Sequence, residues 1–490
     1  MRLAIAAAVL VSATVAHAQP ARLQGFERTR EAEAPYIDLL TFGVGERIFE
    51  KFGHAAICLR YHDPRHIPVC FNFGVTDFDE GMPLVWSFLR GEQEFWVEPS
   101  TYGAMYSFYR YEDRDIWLQT LPTTTAEARA IEDDLWAALG DDHRYQYDHF
   151  FNNCTTRLRD LLDKRLGGKL AIGATELYPL TFRQLGTSGL SELPPLVLLT
   201  DFIIGRQADD RPTRWEAMFH PGIFRAEIER TLGVEPQRLY TRKGHAFPDH
   251  GLAGRDSPLH GRLVMLAIAL LFTLPLWLVR MPGRVARSIL GASYAATFAY
   301  VLVETMPLLW EGLGSIALVV PVLGVAGIVV PLWRGERAAI AWAALHLGFW
   351  GLLVWGLAAM SSIEGVRWNE LVFVVCPLDA LLPVLRPQWR RRYVQLRLAV
   401  VILASLACAI GVFRQPLWIP ILVAFLPLAT LQLQASYVGV QPVRRRRGAG
   451  DADHVEEQAG QDQRVAGTDE QEPQDAGEPA AGVRLTGAGQ

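Results

Sequence analysis

Cys154 follows two asparagines in YQYDHFFNNCTTRLRDLLD, where a helix is expected to begin. Either Asn152 or Asn153 suits the N-cap. A thiol at that place faces backbone amides and the positive end of the helix dipole, which favour thiolate over thiol. The same amides would hold the oxyanion of a tetrahedral intermediate. A thiolate nucleophile needs a base, and the base needs an orienting partner. His54, in FEKFGHAAICL, enters an apolar strand just after a glycine, an uncommon setting for a surface histidine. Asn72, in CFNFG, would hold its ring from the adjoining strand. His149, five residues before Cys154, competes for the third position. The bland alternative, a buried inert thiol, stays open at this level.

The cysteine arithmetic sharpens the choice. Of five cysteines, Cys58, Cys70 and Cys154 precede the apolar half of the chain. Cys376 and Cys408 lie in apolar stretches, where a small apolar cysteine is ordinary. Paired cysteines outside the cytoplasm tend to oxidise. Regular antiparallel pairing would set Cys58 against Cys70, on the face that also carries His54 and Asn72. Cys154 is then the odd thiol. His62 and His66 lie in a turn without carboxylate or cysteine partners at metal-site spacing, so no metal is expected. No glycine loop for a nucleotide cofactor and no basic stripe for nucleic acid is present.

These residues need a sheet and a helix to position them. YIDLLTFG, HAAICLRY and VCFNFGV read as strands, with YHDPRHIP turning between the last two. Glu94 to Val97, Tyr106 to Tyr111 and DIWLQTL read as further short strands. Residues 125–139 carry Ile131, Leu135 and Leu139 on one stripe and predict an amphipathic helix. The helix that starts near Cys154 is expected to end at Gly167-Gly168. The expectation is an α+β domain, an antiparallel sheet with helices packed on it.

Both ends and the second half of the chain bear on its location. Residues 1–18 combine one arginine, a short apolar run and Ala16-His17-Ala18, the pattern of a secretory signal. Seven apolar stretches follow the exported domain (residues 19–259), at about 263–279, 288–310, 313–333, 338–360, 370–385, 398–413 and 416–436. Most approach the ~20 residues needed to span a bilayer. Starting outside, the predicted inner loops carry Arg280, Arg284, Arg287, Arg334, Arg337, Arg386, Arg390, Arg391, Arg392, Arg397 and Arg444 to Arg447. The outer loops hold only Arg367 and Arg414, a bias that supports the seven-span count. The all-α bundle would occupy 260–438, and 439–490 reads as a disordered acidic cytoplasmic tail. Asp379, after Cys376-Pro377, and Glu304 fall inside predicted spans, where an acidic side chain points to function. The net charge of −5 sums unlike regions and decides nothing.

FGHAAICL, FNFGVTDF, YRYEDRDIWLQTL, YQYDHFFNNCTTRLRDLLD and RPTRWEAMFHP together resemble the exported domain family DUF4105, the Lnb N-terminal periplasmic domain, across about residues 35–230. The resemblance implies a circularly permuted papain-like (NlpC/P60-like) core, in which the histidine strand precedes the cysteine helix. It assigns the nucleophile to Cys154, the base to His54 and the third, polar position to Asn72. Asn153, His149, Arg157 and Asp379 are candidates for support, and Arg157 with Arg159 are candidates for meeting anionic headgroups.

An exported domain ahead of several spans also resembles the arrangement of lipoprotein N-acyltransferases. It implies transfer of an sn-2 acyl chain to a lipoprotein's N-terminal amine at the outer face of the inner membrane. Membrane lipids and a lipoprotein or other envelope substrate are the partners this implies. A cysteine hydrolase or amidase of envelope substrates is the first alternative, since water would serve as acceptor in the same chemistry. A non-catalytic exported binding domain on a membrane bundle is the second. Oligomeric state is not legible in the sequence.

Overall fold

The computed structural model describes residues 26, 28, 31–47, 50–76, 87, 90–139, 143–244, 257–278, 299–300, 303, 306, 369, 385–415, 419 and 422, and the statements below concern these. The signal segment, the tail, Glu304, Asp379 and most predicted spans lie outside them.

Seven antiparallel strands form one sheet. They are β1 (Tyr36–Phe42), β2 (His54–Arg60), β3 (Val69–Val75), β4 (Glu94–Thr101), β5 (Ile116–Thr120), β6 (Tyr145–Gln146) and β7 (Gln237–Tyr240), in the order β6-β4-β3-β2-β1-β5-β7. β2 sits at the centre because its residues are apolar on both faces. Ala55, Ile57 and Leu59 point to one side, and Ala56 and Cys58 to the other. A strand with both faces buried needs a layer on each.

On the first face, Leu158 and Leu162 of helix α3 (Cys154–Arg165) join Ile57, Phe71, Ile131, Leu135, Phe224 and Ile228 in one fully buried cluster. Ile131 and Leu135 come from α2 (Thr125–Ala137), whose start is fixed by a capping box between Thr124 and Glu127. α3 ends at Arg165, short of Gly167-Gly168.

The second face is covered by α1 (Tyr102–Tyr111), the segment whose alternating aromatics predicted a strand at 106–111. The alternation misleads because the local signals are helical. Thr101 Oγ1 accepts the Ala104 N–H at 3.1 Å as N-cap, and the buried side chains are Met105 and Tyr109, one helical turn apart. They close over Leu40, Phe42, Ala56 and the sulfurs of Cys58 and Cys70.

A helical region follows that sequence periodicity did not resolve. It comprises α4 (Phe182–Ser188), α5 (Pro194–Ile203), α6 (Arg214–Ala217) and α7 (Pro221–Leu232). α5 packs against α8 (Pro258–Leu278), which coincides with the first predicted span. Arg262 of α8 reaches back to Asp201 of α5 with two hydrogen bonds, of 2.6 and 2.7 Å. α9 (Pro387–Ala409) overlaps the sixth predicted span, and beyond it Arg414 contacts Asp210 at 3.2 Å. Among the described residues no helix is long and apolar enough to cross a membrane. α9 carries Arg390, Arg391, Arg392 and Arg397 in its first half, which shortens its apolar run.

Candidate active site

β2 and β3 pair so that Cys58 lies directly opposite Cys70, and the two are joined by a disulfide. The two-residue period of the strands then carries one face from Cys58 through Ala56 to His54, and from Cys70 to Asn72. His54 and Asn72 meet there: Asn72 Oδ1 lies 2.8 Å from His54 Nε2. The backbone N–H of Gly74 donates to the same oxygen at 2.9 Å. That second donor identifies the atom as the amide oxygen, so Nε2 must carry the proton it shares. Nδ1 is the ring nitrogen left for the thiol.

Cys154 is the first residue of α3 and its thiol is half-buried. Burial pushes the thiol pKa up, but the charge of His54 and a hydrogen bond to its ring outweigh that. The Thr155 hydroxyl, 3.7 Å from Sγ, and the Ala55 N–H add to the lowering, and the net value falls from 9.0 to about 7. Thr155 and the backbone of Ala55 are contributors that sequence reasoning missed. Their only signal was their position next to the two reacting residues.

Asn153 is the N-cap, and its polar atoms are all spent on structure. Oδ1 accepts the N–H groups of Thr155 and Thr156, each at 2.9 Å. Nδ2 donates to His149 O at 2.8 Å and Phe219 O at 3.0 Å. The sequence reading assigned the first-turn amides to an oxyanion. The cap takes those of Thr155 and Thr156, and the Cys154 N–H is the one without a partner among the described residues.

His149 does not join His54. Its ring packs edge-on against Phe52 and Phe150 and tilted against Phe219. Burial lowers its pKa from 6.5 to about 4, so it is neutral near pH 7. Its Nδ1 is 3.4 Å from the Tyr147 hydroxyl, and Nε2 is buried without a hydrogen bond.

Arg157 is exposed. Its Nε donates to Asn152 Oδ1 at 2.8 Å and its guanidinium lies 4.4 Å over the Tyr145 ring, so it braces the turn ahead of Cys154. Arg159 is buried against Trp215, donating to its carbonyl at 2.8 Å, and is not placed for headgroups. The two arginines differ because residues 157 and 159 are 200° apart on a helix. Phe219 and Trp215 belong to RPTRWEAMFHP, and their carbonyls show what that segment does: it receives Asn153 and Arg159 of the cysteine helix.

His62 and His66 do meet carboxylates, contrary to the reading from spacing. His62 Nδ1 is 3.2 Å from Glu33, and His66 Nδ1 is 2.6 Å from Glu31, both brought by the segment before β1. Among the described residues no group of His, Cys, Asp and Glu is arranged to hold a metal ion.

No curated protein and no solved structure matches this chain. The stretch that holds His54, Asn72 and Cys154, residues 23–188, matches the family model of the Lnb N-terminal periplasmic domain.

Proposed function

We propose that the chain is a membrane-anchored, cysteine-dependent acyltransferase acting on a lipid-bearing envelope substrate, in the manner of the lipoprotein N-acyltransferases its layout resembles. The observation that carries this reading is the half-buried Cys154 thiol, brought to a pKa of about 7 beside an imidazole that Asn72 orients. Near neutral pH a thiol so placed is substantially thiolate, whereas an ordinary cysteine is not.

The chemistry balances with these groups alone. The Cys154 thiolate attacks the sn-2 ester carbonyl of a diacylglyceryl group, forming a C–S bond and an oxyanion that the Cys154 N–H is free to receive. As the C–O bond breaks, protonated His54 gives its Nδ1 proton to the departing glycerol oxygen. A thioester on Cys154 and a free hydroxyl result. The α-amino group of the lipoprotein's terminal cysteine then attacks the thioester and loses its proton to His54, and the thiolate leaves. The product is an amide, with one acyl chain moved from glycerol to nitrogen.

The apolar stretches beyond residue 260 and their arginine bias support a bilayer location for the substrate. Fragmentation mass spectrometry of lipoprotein N-terminal peptides, from cells with the intact chain, without it, and with Cys154→Ala, tests the proposal. Transfer keeps the total mass and moves one acyl chain to nitrogen, only when Cys154 is present. Loss of an acyl chain to water would replace the transferase by a hydrolase. Unaltered peptides in all three strains would overturn both, and leave a binding domain.

A further inference from the structure

The surroundings of His54 bear on how its ring is held, a question that rests on the acyl-transfer reading above.

A β-bulge interrupts the pairing of β3 with β4. Asn72 pairs with Glu98, and the next pair is Val75 with Trp96, so β3 uses one residue more than its partner over the interval. The extra residue lets the chain turn back on the Asn72 side chain, and the Gly74 N–H bonds Asn72 Oδ1. The same bend brings Gly74 against the histidine. A Cβ at position 74 would stand 2.6 Å from His54 Cε1 and 3.4 Å from Nδ1. The first distance is shorter than packed carbon atoms tolerate. Cε1 lies between the two ring nitrogens, so any movement that relieves it displaces Nε2 from Asn72 or Nδ1 from Cys154. The near-parallel rings of Phe42 and Tyr109 flank the imidazole, with centroids 6.1 and 6.0 Å from its own.

We infer that Gly74 is a positioning residue of the active site: its missing side chain sets the plane of the His54 ring, and its N–H fixes the Asn72 oxygen that orients it. The glycine of FNFG is thus required by the imidazole across the hairpin as well as by the local turn. Gly53, before His54, has the separate task of a left-handed backbone, with φ of 81°.

The test uses the full-length protein in detergent and follows iodoacetamide labelling of Cys154 against pH, by mass spectrometry of its peptide. In Gly74→Ala the midpoint is expected to rise from near 7 toward ~8.5, with labelling at pH 7 slowed about tenfold. A Gly74→Ala profile like that of the intact protein overturns the inference. His54→Ala separates this from failure of the site itself. If His54→Ala also leaves the profile unmoved, the His54–Cys154 pair is wrong; if only His54→Ala moves it, the pair stands and Gly74 is incidental. Should Gly74→Ala fold poorly, the double variant Gly74→Ala/His54→Ala decides, since removing the ring removes the clash. Recovery of the thermal midpoint in the double variant supports the inference, and a plain sum of the two losses refutes it.

Discussion

Asn72 Oδ1 accepts the Nε2 proton of His54 at 2.8 Å, and thereby selects which ring nitrogen faces Cys154. An amide oxygen can only accept, so the contact excludes the tautomer that would place the sole proton on Nδ1. Asn72→Ala removes that selection and leaves the Gly74 N–H without its acceptor. Acyl-ester turnover by the purified full chain should fall about ten- to a hundredfold, less than the ~10²–10⁴-fold that a proton-transfer group itself contributes, because the imidazole remains. Turnover within twofold of the parent would show that Asn72 has no part in orienting the base.

The Cys154 thiol gives the second prediction, and its sign follows from the opposed causes. Burial alone would raise the pKa, and His54 reverses it to about 7. The rate of Cys154 alkylation should therefore climb through pH 7 and level off above about 8. In His54→Ala the burial stays and the counter-charge goes, so the climb should begin above the ordinary thiol value of 9.0. A parent profile that rises only above pH 8.5 would refute the assignment.

The sequence carried the central hairpin and the cysteine helix well. Cys58 and Cys70 fixed the register of β2 against β3, and that register alone put His54 and Asn72 on one face. It failed where local and long-range signals diverge. The aromatics of YSFYRY alternate like a strand, yet Thr101 and the burial of Met105 and Tyr109 make a helix. The contacts of Asn153 with Phe219 and of Arg159 with Trp215 were invisible because both acceptors are backbone carbonyls more than fifty residues away. No side-chain pattern announces a carbonyl. Gly74 was legible as part of FNFG, but its reason was not, since the reason is a ring on another strand.

His149 supplies a prediction about acid stability. Its pKa is lowered to about 4 by burial, so the unfolded chain takes up a proton before the folded one does. The stability associated with keeping His149 neutral is therefore complete above pH 6.5 and declines as pH falls from 6.5 toward 4. The loss would reach about 3.5 kcal/mol at most, taking ~1.4 kcal/mol per pH unit. His149→Phe should flatten this part of the profile, because the ring sits among Phe52, Phe150 and Phe219 and its Nε2 makes no hydrogen bond. Activity at pH 7 should change less than threefold. Thermal midpoints between pH 4 and 7 check the first claim, and a large loss of turnover would restore His149 as a catalytic candidate.

Asn153 is expected to matter for the fold of the nucleophile's turn and not for proton transfer. Asn153→Ala removes an N-cap, costing about 0.5–2 kcal/mol. It also strips the carbonyls of His149 and Phe219 of a buried donor, adding about 1–3 kcal/mol. The thermal midpoint of the full chain should drop by several degrees, while the pH midpoint of Cys154 alkylation in the folded fraction moves by less than one unit. A normal midpoint of unfolding with a strongly shifted thiol would mean that Asn153 acts on the sulfur directly.

The junction between the sheet domain and α8 yields the last prediction. Arg183, Asp201, Asp209 and Arg262 are all buried. Arg183 holds Asp209 at 2.8 Å and the carbonyls of Ile204 and Gly205, while Arg262 grips Asp201 with two bonds. Burial raises the Asp209 pKa even with Arg183 beside it. Such a cluster costs much to desolvate, so its value lies in being complete. Arg262→Met leaves the Asp201 carboxylate buried without its bidentate partner, a loss on the order of 3–5 kcal/mol. Asp201→Leu/Arg262→Met removes both charges and should be less destabilised than Arg262→Met alone. Limited proteolysis of the full chain between residues 240 and 260 provides the readout. The single variant should be cut fastest, the double at an intermediate rate, and the parent slowest. Additive damage in the double variant would mean that α8 is held by its apolar contacts with α5, with the ion pair contributing little.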